Sequence, residues 1–351
     1  MKNSALFFYL FLLLLVSSCL SRTYDVQAVC EVTDLYNYIV KWEVTPVING
    51  KVSIYTSTDP DHFDMQTPVA VVPASLGCAK IIMNGSLNRR YFQLVFNHDV
   101  KTIVGVRAQK FSTIQNFRDI GGYKTTDGRH IRWGQIYRSG NLDSLSDLSA
   151  KRINLMNIKS LIDLRMPSSS KRPSPNVDIP NCYQYPVFPY KEDPVPLIKE
   201  CRFKRGDADV FMQDVFGEMV LRNKDSFRLL FQLLRNEDNY PLVIESDYGT
   251  LQTSIASALI LSTLGVPDQT VIEDYLLSNK YYNKYKVARI ARTLPYESQE
   301  ALSVITKSDE SYLLSALNQI LQHYGSLNSF MEEEIGIDAD FRHDIQNILL
   351  R

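Results

Sequence analysis

Short apolar runs separated by turn residues fill the first third of the chain. The segment YIVKWEV (38–44) alternates strictly, which places Trp42 with other apolar residues on one face of a strand. Turn pairs at Asn49-Gly50, Asp59-Pro60 and Asn84-Gly85 separate the runs. This spacing predicts an all-β sandwich over residues 23–110, with further strands in KVSIYTS (51–57), VAVVPA (69–74), AKIIMNG (79–85), RYFQLVF (90–96) and TIVGVRAQKF (102–111).

Strand-like and helix-like patterns alternate beyond residue 112. Helical spacing of apolar residues appears at 145–157, over a long segment at 209–236, and at 253–264. Beyond residue 266 the pattern is mostly helical. Strands interleaved with helices predict an α/β domain with a central sheet over residues 112–351, the strands lying in QIYRSGNL (135–142), IKSLIDLR (158–165), PNCYQYPVF (180–188) and PLVI (241–244).

The first residues, MKNSALFFYLFLLLLVSSCLS, combine one lysine, an apolar run and small residues. This pattern predicts a signal peptide over residues 1–18. The VSSC segment also resembles a bacterial lipobox, which implies cleavage before Cys19 and acylation of that residue. The mature protein would then be lipid-anchored to a bacterial membrane at the cell envelope, facing the periplasm or the cell surface. The alternative is plain secretion with an incidental cysteine.

Composition bounds the possible partners. The 351 residues are 45% hydrophobic and 22% charged, with a formal net charge of −1. These values suit a two-domain globular protein and give no indication of nucleic-acid binding. The five histidines show no metal-ligand spacing. We therefore predict no metal and no cofactor.

Four cysteines remain if Cys19 is acylated. In an oxidising compartment they allow three pairings. Pairing within each domain would join Cys30 to Cys78 and Cys182 to Cys201. Four buried free thiols are the alternative, because cysteine often serves as a small core residue.

The stretch PLVIESDYGTLQTSIASALILSTLGVP (241–267) has the form of a strand, a short polar loop and a small-residue helix. Such an arrangement can hold a phosphate with backbone amides at a helix N-terminus. Together with five other segments, in order along the chain, it resembles the bacterial tyrosine phosphatase family. Those segments are NFRDIGGY (116–123), IYRSGNL (136–142), LIDLR (161–165), VIEDYLLSN (271–279) and YGSLNSFMEEEIGI (324–337).

The resemblance implies a loop of the form His-Cys-x-x-Gly-Lys-Asp-Arg-Thr-Gly. In that chemistry a cysteine thiolate attacks phosphorus, an arginine fork binds the phosphoryl oxygens, and an aspartic acid protonates the leaving group. Members act on phosphotyrosine and, in some cases, on phosphoserine, phosphothreonine or phosphoinositides. Here residues 245–254 read ESDYGTLQTS. The nucleophile position holds Ser246, the general-acid position Leu251 and the phosphate-binding arginine position Gln252.

The rest of the loop departs from the family as well. The histidine position holds Glu245 and the lysine position holds Thr250, while Gly249 is retained. A phosphate dianion would meet the acidic residues Glu245 and Asp247, with no Lys or Arg on the loop. The phosphate loop comprises Glu245, Ser246, Asp247, Tyr248, Gly249, Thr250, Leu251 and Gln252.

These losses predict a catalytically impaired pseudophosphatase with a binding or scaffolding role. Its ligand would be an unidentified protein segment or small molecule, or a cation held by Glu245 and Asp247. The alternative is an active phosphatase for tyrosine or dual-specificity substrates with an atypical nucleophile, since Ser246 would need a base from elsewhere in the fold. A third interpretation makes the sandwich the binding module and the phosphatase-like domain a spacer.

Several other positions carry expectations. The resemblance implies that Arg118, Asp119 and Arg138 support the loop and sheet. Asp163 and Arg165 end a strand near the expected site and would shape the cleft. The segment VKWEVTP, followed by VSIYTSTDPDHF, resembles a fibronectin type III-like module. We expect Trp42 to be a core residue of this module.

Overall fold

The computed structural model describes residues 24–33, 37–83, 87–167, 173, 176–191, 194–200, 203–283 and 285–351. The predicted signal peptide (1–18), the proposed acylation site at Cys19, the turn at Asn84-Gly85 and Cys201 lie outside these residues. Within the described ranges, no helix has both the length and the apolar composition needed to cross a membrane.

In the described part of residues 25–105, seven strands form two antiparallel sheets. The three-stranded sheet has the order β1-β2-β5 and the four-stranded sheet the order β4-β3-β6-β7. The predicted alternation in β2 is confirmed, because Tyr38, Val40 and Trp42 are buried and Lys41 is exposed. The strands are β1 (Asp25–Val32), β2 (Tyr38–Thr45), β3 (Lys51–Ser57), β4 (Ala70–Pro73), β5 (Cys78–Ile81), β6 (Tyr91–Phe96) and β7 (Val100–Gly105).

One hydrophobic core lies between the two sheets. Trp42 is 4% exposed and packs edge-on against Phe96, with ring centroids 6.2 Å apart. Its indole nitrogen donates to the carbonyl of Ala74 at 2.8 Å, so the polar atom of this large side chain is satisfied within the core. Trp42 is therefore a core residue, as the sequence predicts.

Cys30 and Cys78 are free thiols and do not form the predicted disulfide. Cys30 lies opposite Val40, and Ala79 lies opposite Val40 on the other side of β2. The two cysteine strands are thus separated by β2, about 10 Å apart, which exceeds the span of a disulfide. The alternative of four buried thiols is wrong as well, because Cys78 and Cys182 are both exposed.

A five-stranded sheet organises the rest of the chain, with the order β11-β10-β12-β9-β8. Strands β9 to β12 pair in parallel, and the short β8 pairs with β9 in antiparallel fashion. The predicted α/β architecture is confirmed. The strands are β8 (Arg118–Asp119), β9 (Ile136–Gly140), β10 (Ser160–Asp163), β11 (Asn181–Gln184) and β12 (Leu242–Ser246).

Helices cover this sheet and fill most of the C-terminal half. Helix α5 follows β12 directly and is buried along nearly its whole length. The α-helices are α1 (Asp147–Asn154), α2 (Val195–Lys199), α3 (Arg205–Arg222), α4 (Lys224–Leu234), α5 (Gln252–Thr263), α6 (Asp268–Leu276), α7 (Ser278–Tyr281), α8 (Tyr285–Ala291), α9 (Tyr296–Ile305), α10 (Glu310–Tyr324), α11 (Leu327–Phe330) and α12 (Ala339–Leu349), with a π-helical turn at Met331–Ile335.

The segment 209–236 is helical as predicted, and it consists of two helices. The chain breaks at Asn223, which ends α3 and precedes α4. The Asn223 side chain is 5% exposed. Its amide nitrogen donates to the carbonyls of Phe188 and Met219, and its amide oxygen accepts from the Phe188 backbone N–H at 2.8 Å. These bonds tie the break to the segment that follows β11.

Candidate functional site

The candidate site lies at the carboxyl end of β12. This strand runs between β10 and β9, and all three are parallel. Residues 247–251 leave the sheet there and lead directly into α5, which begins at Gln252. Ligands of α/β sheets bind at this edge, so the loop occupies the position expected for a phosphate-type cradle.

Gly249 allows the loop to lie close to the backbone of β9. Its φ is +68°, and a Cβ atom there would lie 2.6 Å from the backbone nitrogen of Gly140. The Gly249 carbonyl accepts hydrogen bonds from the Asn116 amide at 2.5 Å and from Arg138 at 3.0 Å. Only glycine fits this conformation and this space.

A buried charged cluster supports the loop from beneath. Arg118 and Arg138 both pair with Asp274 of α6, each at 3.3 Å, and the Tyr123 hydroxyl donates to Asp274 at 2.9 Å. Arg138 also donates to Ser254 in the first turn of α5 at 2.8 Å. Burial opposes ionisation of Asp274, but the two arginines prevail and lower its pKa to about 2.

The cluster contains residues that sequence reasoning did not single out. Asp274 lies within the segment VIEDYLLSN, but the pattern gives no reason to select it over Glu273. Asn116 precedes the FRDIGG motif and has a φ of +53°, a conformation that asparagine adopts more readily than most residues. Asp119, expected to support the loop and sheet, lies in β8, accepts from the backbone N–H groups of Gly121 and Gly134, and pairs with Arg89.

Ser246 occupies the nucleophile position and is 1% exposed. Its hydroxyl oxygen accepts a hydrogen bond from the Gly249 amide at 3.1 Å. All five histidines belong to the described part of the chain, and none hydrogen-bonds to the loop. The imidazole base that a serine nucleophile would need is therefore missing from these contacts.

Glu245 lies in the sheet beside Ser246 but faces a different set of groups. Its carboxylate accepts from Arg165 at 2.8 Å and from the Leu142 backbone N–H at 3.0 Å. Arg165 also holds Asp163 at 2.9 Å and Asp143 at 2.6 Å. One guanidinium thus serves three carboxylates, and burial raises the pKa of Glu245 to about 8, although Arg165 opposes this shift.

Arg165 lies beside Glu245 at this end of the sheet, next to Asp163. No Lys or Arg lies on the loop, but Arg165, which follows the end of β10, places its guanidinium against Glu245. The Arg165 side chain is fully buried and shared among carboxylates, so it replaces neither the lysine nor the arginine of the family loop. Burial also raises the pKa of Asp247. Among the described residues, no group of three or more His, Cys, Asp or Glu side chains is arranged to hold a metal.

The remaining loop positions contribute no cationic group. The Gln252 side chain is 4% exposed and donates to the Val187 carbonyl at 3.4 Å. Leu251 packs against the apolar core, and Thr250 is partly buried. Tyr248 is 51% exposed and meets the Tyr282 ring edge-on at 5.8 Å. Leu251 at the general-acid position and Gln252 at the arginine position therefore make packing contacts and carry no charge.

The comparison with known proteins covers the same part of the chain. Residues 109–351 match the sequence profile of the tyrosine phosphatase family. A Cupriavidus necator protein named as a putative tyrosine-protein phosphatase is 25% identical over 234 residues, covering 65% of this chain and 84% of its own length. The triple specificity protein phosphatase PtpB of Mycobacterium tuberculosis is 23% identical over 274 residues, covering 67% of this chain and 96% of its own length.

Similarity to solved structures is weaker. The Siw14 catalytic core aligns with 53% of this chain and 95% of its own length, at 14% identity and a TM-score of 0.30. That score is too low to support a conclusion about fold or function. The sequence match extends over more than half of the chain, includes β8 to β12 and contains the loop described above. The chain therefore belongs to the tyrosine phosphatase family.

Proposed function

We propose that this protein is an exported member of the tyrosine phosphatase family with strongly impaired catalysis, and that it acts by binding or scaffolding. The observation that carries the proposal is the state of Ser246. This hydroxyl stands where the family has its thiol, accepts a loop amide, and has no hydrogen bond to a base in the described part of the chain. Glu245, the adjacent carboxylate, is held by Arg165 and Leu142 instead.

The size of each loss supports impaired catalysis. General-acid catalysis contributes about 10²–10⁴-fold, and its position is Leu251. A preorganised charge-stabilising donor contributes about 10²–10³-fold, and its position is Gln252. The serine hydroxyl also ionises far less readily than the thiol it replaces. These factors are not additive, but all lower the rate.

Electrostatics at the strand end also disfavours a phosphate monoester. Within the described residues, the carboxyl groups of Asp143, Asp163, Glu245 and Asp247 lie around one guanidinium, that of Arg165. A dianion entering the loop would be repelled by the excess carboxylates. The cradle therefore suits a neutral or cationic group of a partner, such as an unphosphorylated side chain of a protein.

The same proposal includes the location and the N-terminal module. The leader and Cys19 favour a lipid anchor at the cell envelope, and the sandwich would be fibronectin type III-like. The two-sheet antiparallel architecture supports that assignment.

Labelling with radioactive palmitate tests the lipid anchor. We expect the protein to be labelled and the label to disappear in Cys19→Ala. Label that is absent, or that does not depend on Cys19, would contradict the proposed anchor.

A phosphatase assay tests the catalytic part. The full chain is incubated with p-nitrophenyl phosphate and with a phosphotyrosine peptide, beside Ser246→Ala. We expect both proteins to release phosphate at the uncatalysed rate, because the hydroxyl has neither a base nor a cationic partner among the described residues. Turnover by the wild type that vanishes in Ser246→Ala would establish a working serine nucleophile and overturn the proposal.

Rebuilding the loop provides the positive control. The variant combines Ser246→Cys, Thr250→Lys, Leu251→Asp and Gln252→Arg, with and without Glu245→His. Because the backbone of the loop is held by Asn116, Arg138 and Gly249, we expect phosphatase activity to appear. Activity that depends on the introduced thiol would show that the loop alone limits catalysis in the natural chain.

A further inference from the structure

A small polar cavity lies where the sandwich meets the α/β part, and no residue of the loop lines it. It has a volume of about 30 Å³ and is partly open to solvent. Its lining includes three arginines and no carboxylate among the described residues: Arg89 and Arg90 precede β6, and Arg152 comes from α1. Tyr38 and Gln109 add neutral polar groups to the lining.

Two of these arginines have buried nitrogen atoms without a partner. The Nε atoms of Arg89 and Arg90 are inaccessible to solvent and donate to no acceptor in the described part of the chain. The Arg89 side chain is 5% exposed, so its Nε cannot be satisfied by bulk water. A buried donor without an acceptor is costly, and native proteins usually satisfy it with a water or an ion.

The other groups of the cluster hold the arginines in place. The terminal nitrogens of Arg89 bind Asp119 at 2.6 Å and the Val106 carbonyl at 2.9 Å. Arg152 donates to the Lys110 carbonyl and to Gln109, and it lies over the Phe111 ring at 4.5 Å. Tyr38 and the three guanidinium-bearing side chains line the same cavity.

We propose that this cavity binds one small oxyanion of the phosphate or sulfate class. The anion would accept from the unpartnered Nε atoms of Arg89 and Arg90 and would place a negative charge beside the Arg90 guanidinium. The volume exceeds what one water molecule needs, and the open side leaves room for the remaining oxygens. Because Arg90 belongs to the sandwich and Arg152 to α1, the bound anion would join the two parts.

Calorimetric titration of the full chain with inorganic phosphate tests the proposal, with sulfate, acetate and chloride at equal ionic strength as further arms. We expect one saturable site for phosphate or sulfate and a Tm increase of about 2–5 °C near saturation. Acetate and chloride should raise the Tm less, because neither anion offers a tetrahedral set of acceptor oxygens to the arginine N–H groups. No saturable response to either tetrahedral anion would overturn the proposal.

Variants localise the site. Arg90→Met removes the guanidinium and keeps most of the apolar stem, so phosphate affinity should fall about 10–100-fold. Arg90→Lys retains the charge but loses Nε, and it should also bind more weakly. Lys101→Met, which removes an exposed charge of β7 outside the cavity, is the matched control and should bind as the wild type does. Equal affinity in Arg90→Met and wild type would refute the assignment.

The loop must be excluded as the source of any phosphate binding. Gln252→Ala and Ser246→Ala alter the loop and leave the junction cavity untouched, so the phosphate isotherm should not change in either variant. Loss of binding in these variants, with retention in Arg90→Met, would place the anion in the loop instead. That result would contradict this inference and would also weaken the proposed exclusion of phosphate from the loop.

Discussion

Glu245 occupies the position at which the family loop has a histidine. It lies in the sheet beside the nucleophile position, is fully buried, and shares Arg165 with Asp143 and Asp163. If all three carboxylates were ionised, one guanidinium could not neutralise them, and negative charge would remain buried. Burial disfavours the charged form of Glu245 most strongly and the Asp163 carboxylate adds to this effect, so the pKa of Glu245 rises to about 8 although Arg165 opposes the shift.

This raised pKa predicts that stability falls as the pH rises. Between the ordinary value of 4.5 and about 8, the folded state binds a proton at Glu245 that the unfolded state has released. Relative to Glu245→Gln, the free energy of unfolding of the wild type should therefore decrease by about 2–4 kcal/mol from pH 5 to pH 8. Urea denaturation of both proteins across this range measures the difference.

Glu333→Gln, which changes an exposed carboxylate of the π-helical turn, is the control and should follow the wild type at every pH. Parallel stability curves for wild type and Glu245→Gln would show that Glu245 has the same proton affinity in both states. Asp247 shifts in the same direction and remains in both proteins, so it does not affect the comparison.

The sequence identifies the altered positions of the loop but not the side chains that contact them. The match of ESDYGTLQTS to the family loop identified Ser246 and Gln252 without any coordinates. It could not show that Arg165, 80 residues away, neutralises part of the acidic loop. This long-range ion pair depends on the order of β10 and β12 in the sheet, and local sequence patterns do not predict that order.

At the element scale, the loop between β12 and α5 keeps its shape through a backbone contact. Gly249 lies against Ser139 and Gly140 of β9, and its carbonyl is held by Asn116 and Arg138. None of these contacts involves the positions that changed relative to the family. This separation explains how the loop can lose its reactive side chains and retain its form.

Gly249→Ala tests that contact. The substitution adds strain at a φ of +68° and a clash at 2.6 Å with backbone atoms of β9, so the free energy of unfolding should fall by about 2–4 kcal/mol. Gly336→Ala is the matched control, because its φ is +83° and no atom lies within 4 Å of the added Cβ. That variant should lose only about 1 kcal/mol, and equal losses would mean that strain alone acts at Gly249.

The break between α3 and α4 shows where periodicity fails as a predictor. Apolar residues keep helical spacing across 209–236, because both helices bury one face in the same core. Asn223 nevertheless stops α3, since its side chain bonds to Met219 and to the backbone of Phe188. Asparagine favours such local side-chain bonds, which is the one signal in the sequence that could have indicated the break.

At the scale of the whole molecule, the two parts share buried side chains. Trp133 lies beyond the start of the family match at residue 109, yet it packs in the core of the sandwich and donates to the Ile103 carbonyl at 3.0 Å. Arg89 lies over the rings of Tyr91, Trp133 and Tyr137. Hydrophobic periodicity predicted both parts of the chain, but nothing in either pattern indicated this junction.

The junction leads us to expect that the two parts unfold together. Arg89→Met removes the ion pair with Asp119, leaves that carboxylate buried, and should cost about 3–5 kcal/mol. Lys41→Met, which breaks an exposed pair with Glu31, is the control and should cost at most about 1 kcal/mol. Scanning calorimetry should give one transition for the wild type, shifted to lower temperature in Arg89→Met. Two separate transitions in the wild type, or an unchanged Tm in Arg89→Met, would mean that the junction does not couple the sandwich to the α/β part.

Since Asp119 follows Arg118, which pairs with Asp274 beneath the loop, a coupled junction would connect the sandwich to the candidate site through two adjacent residues of β8.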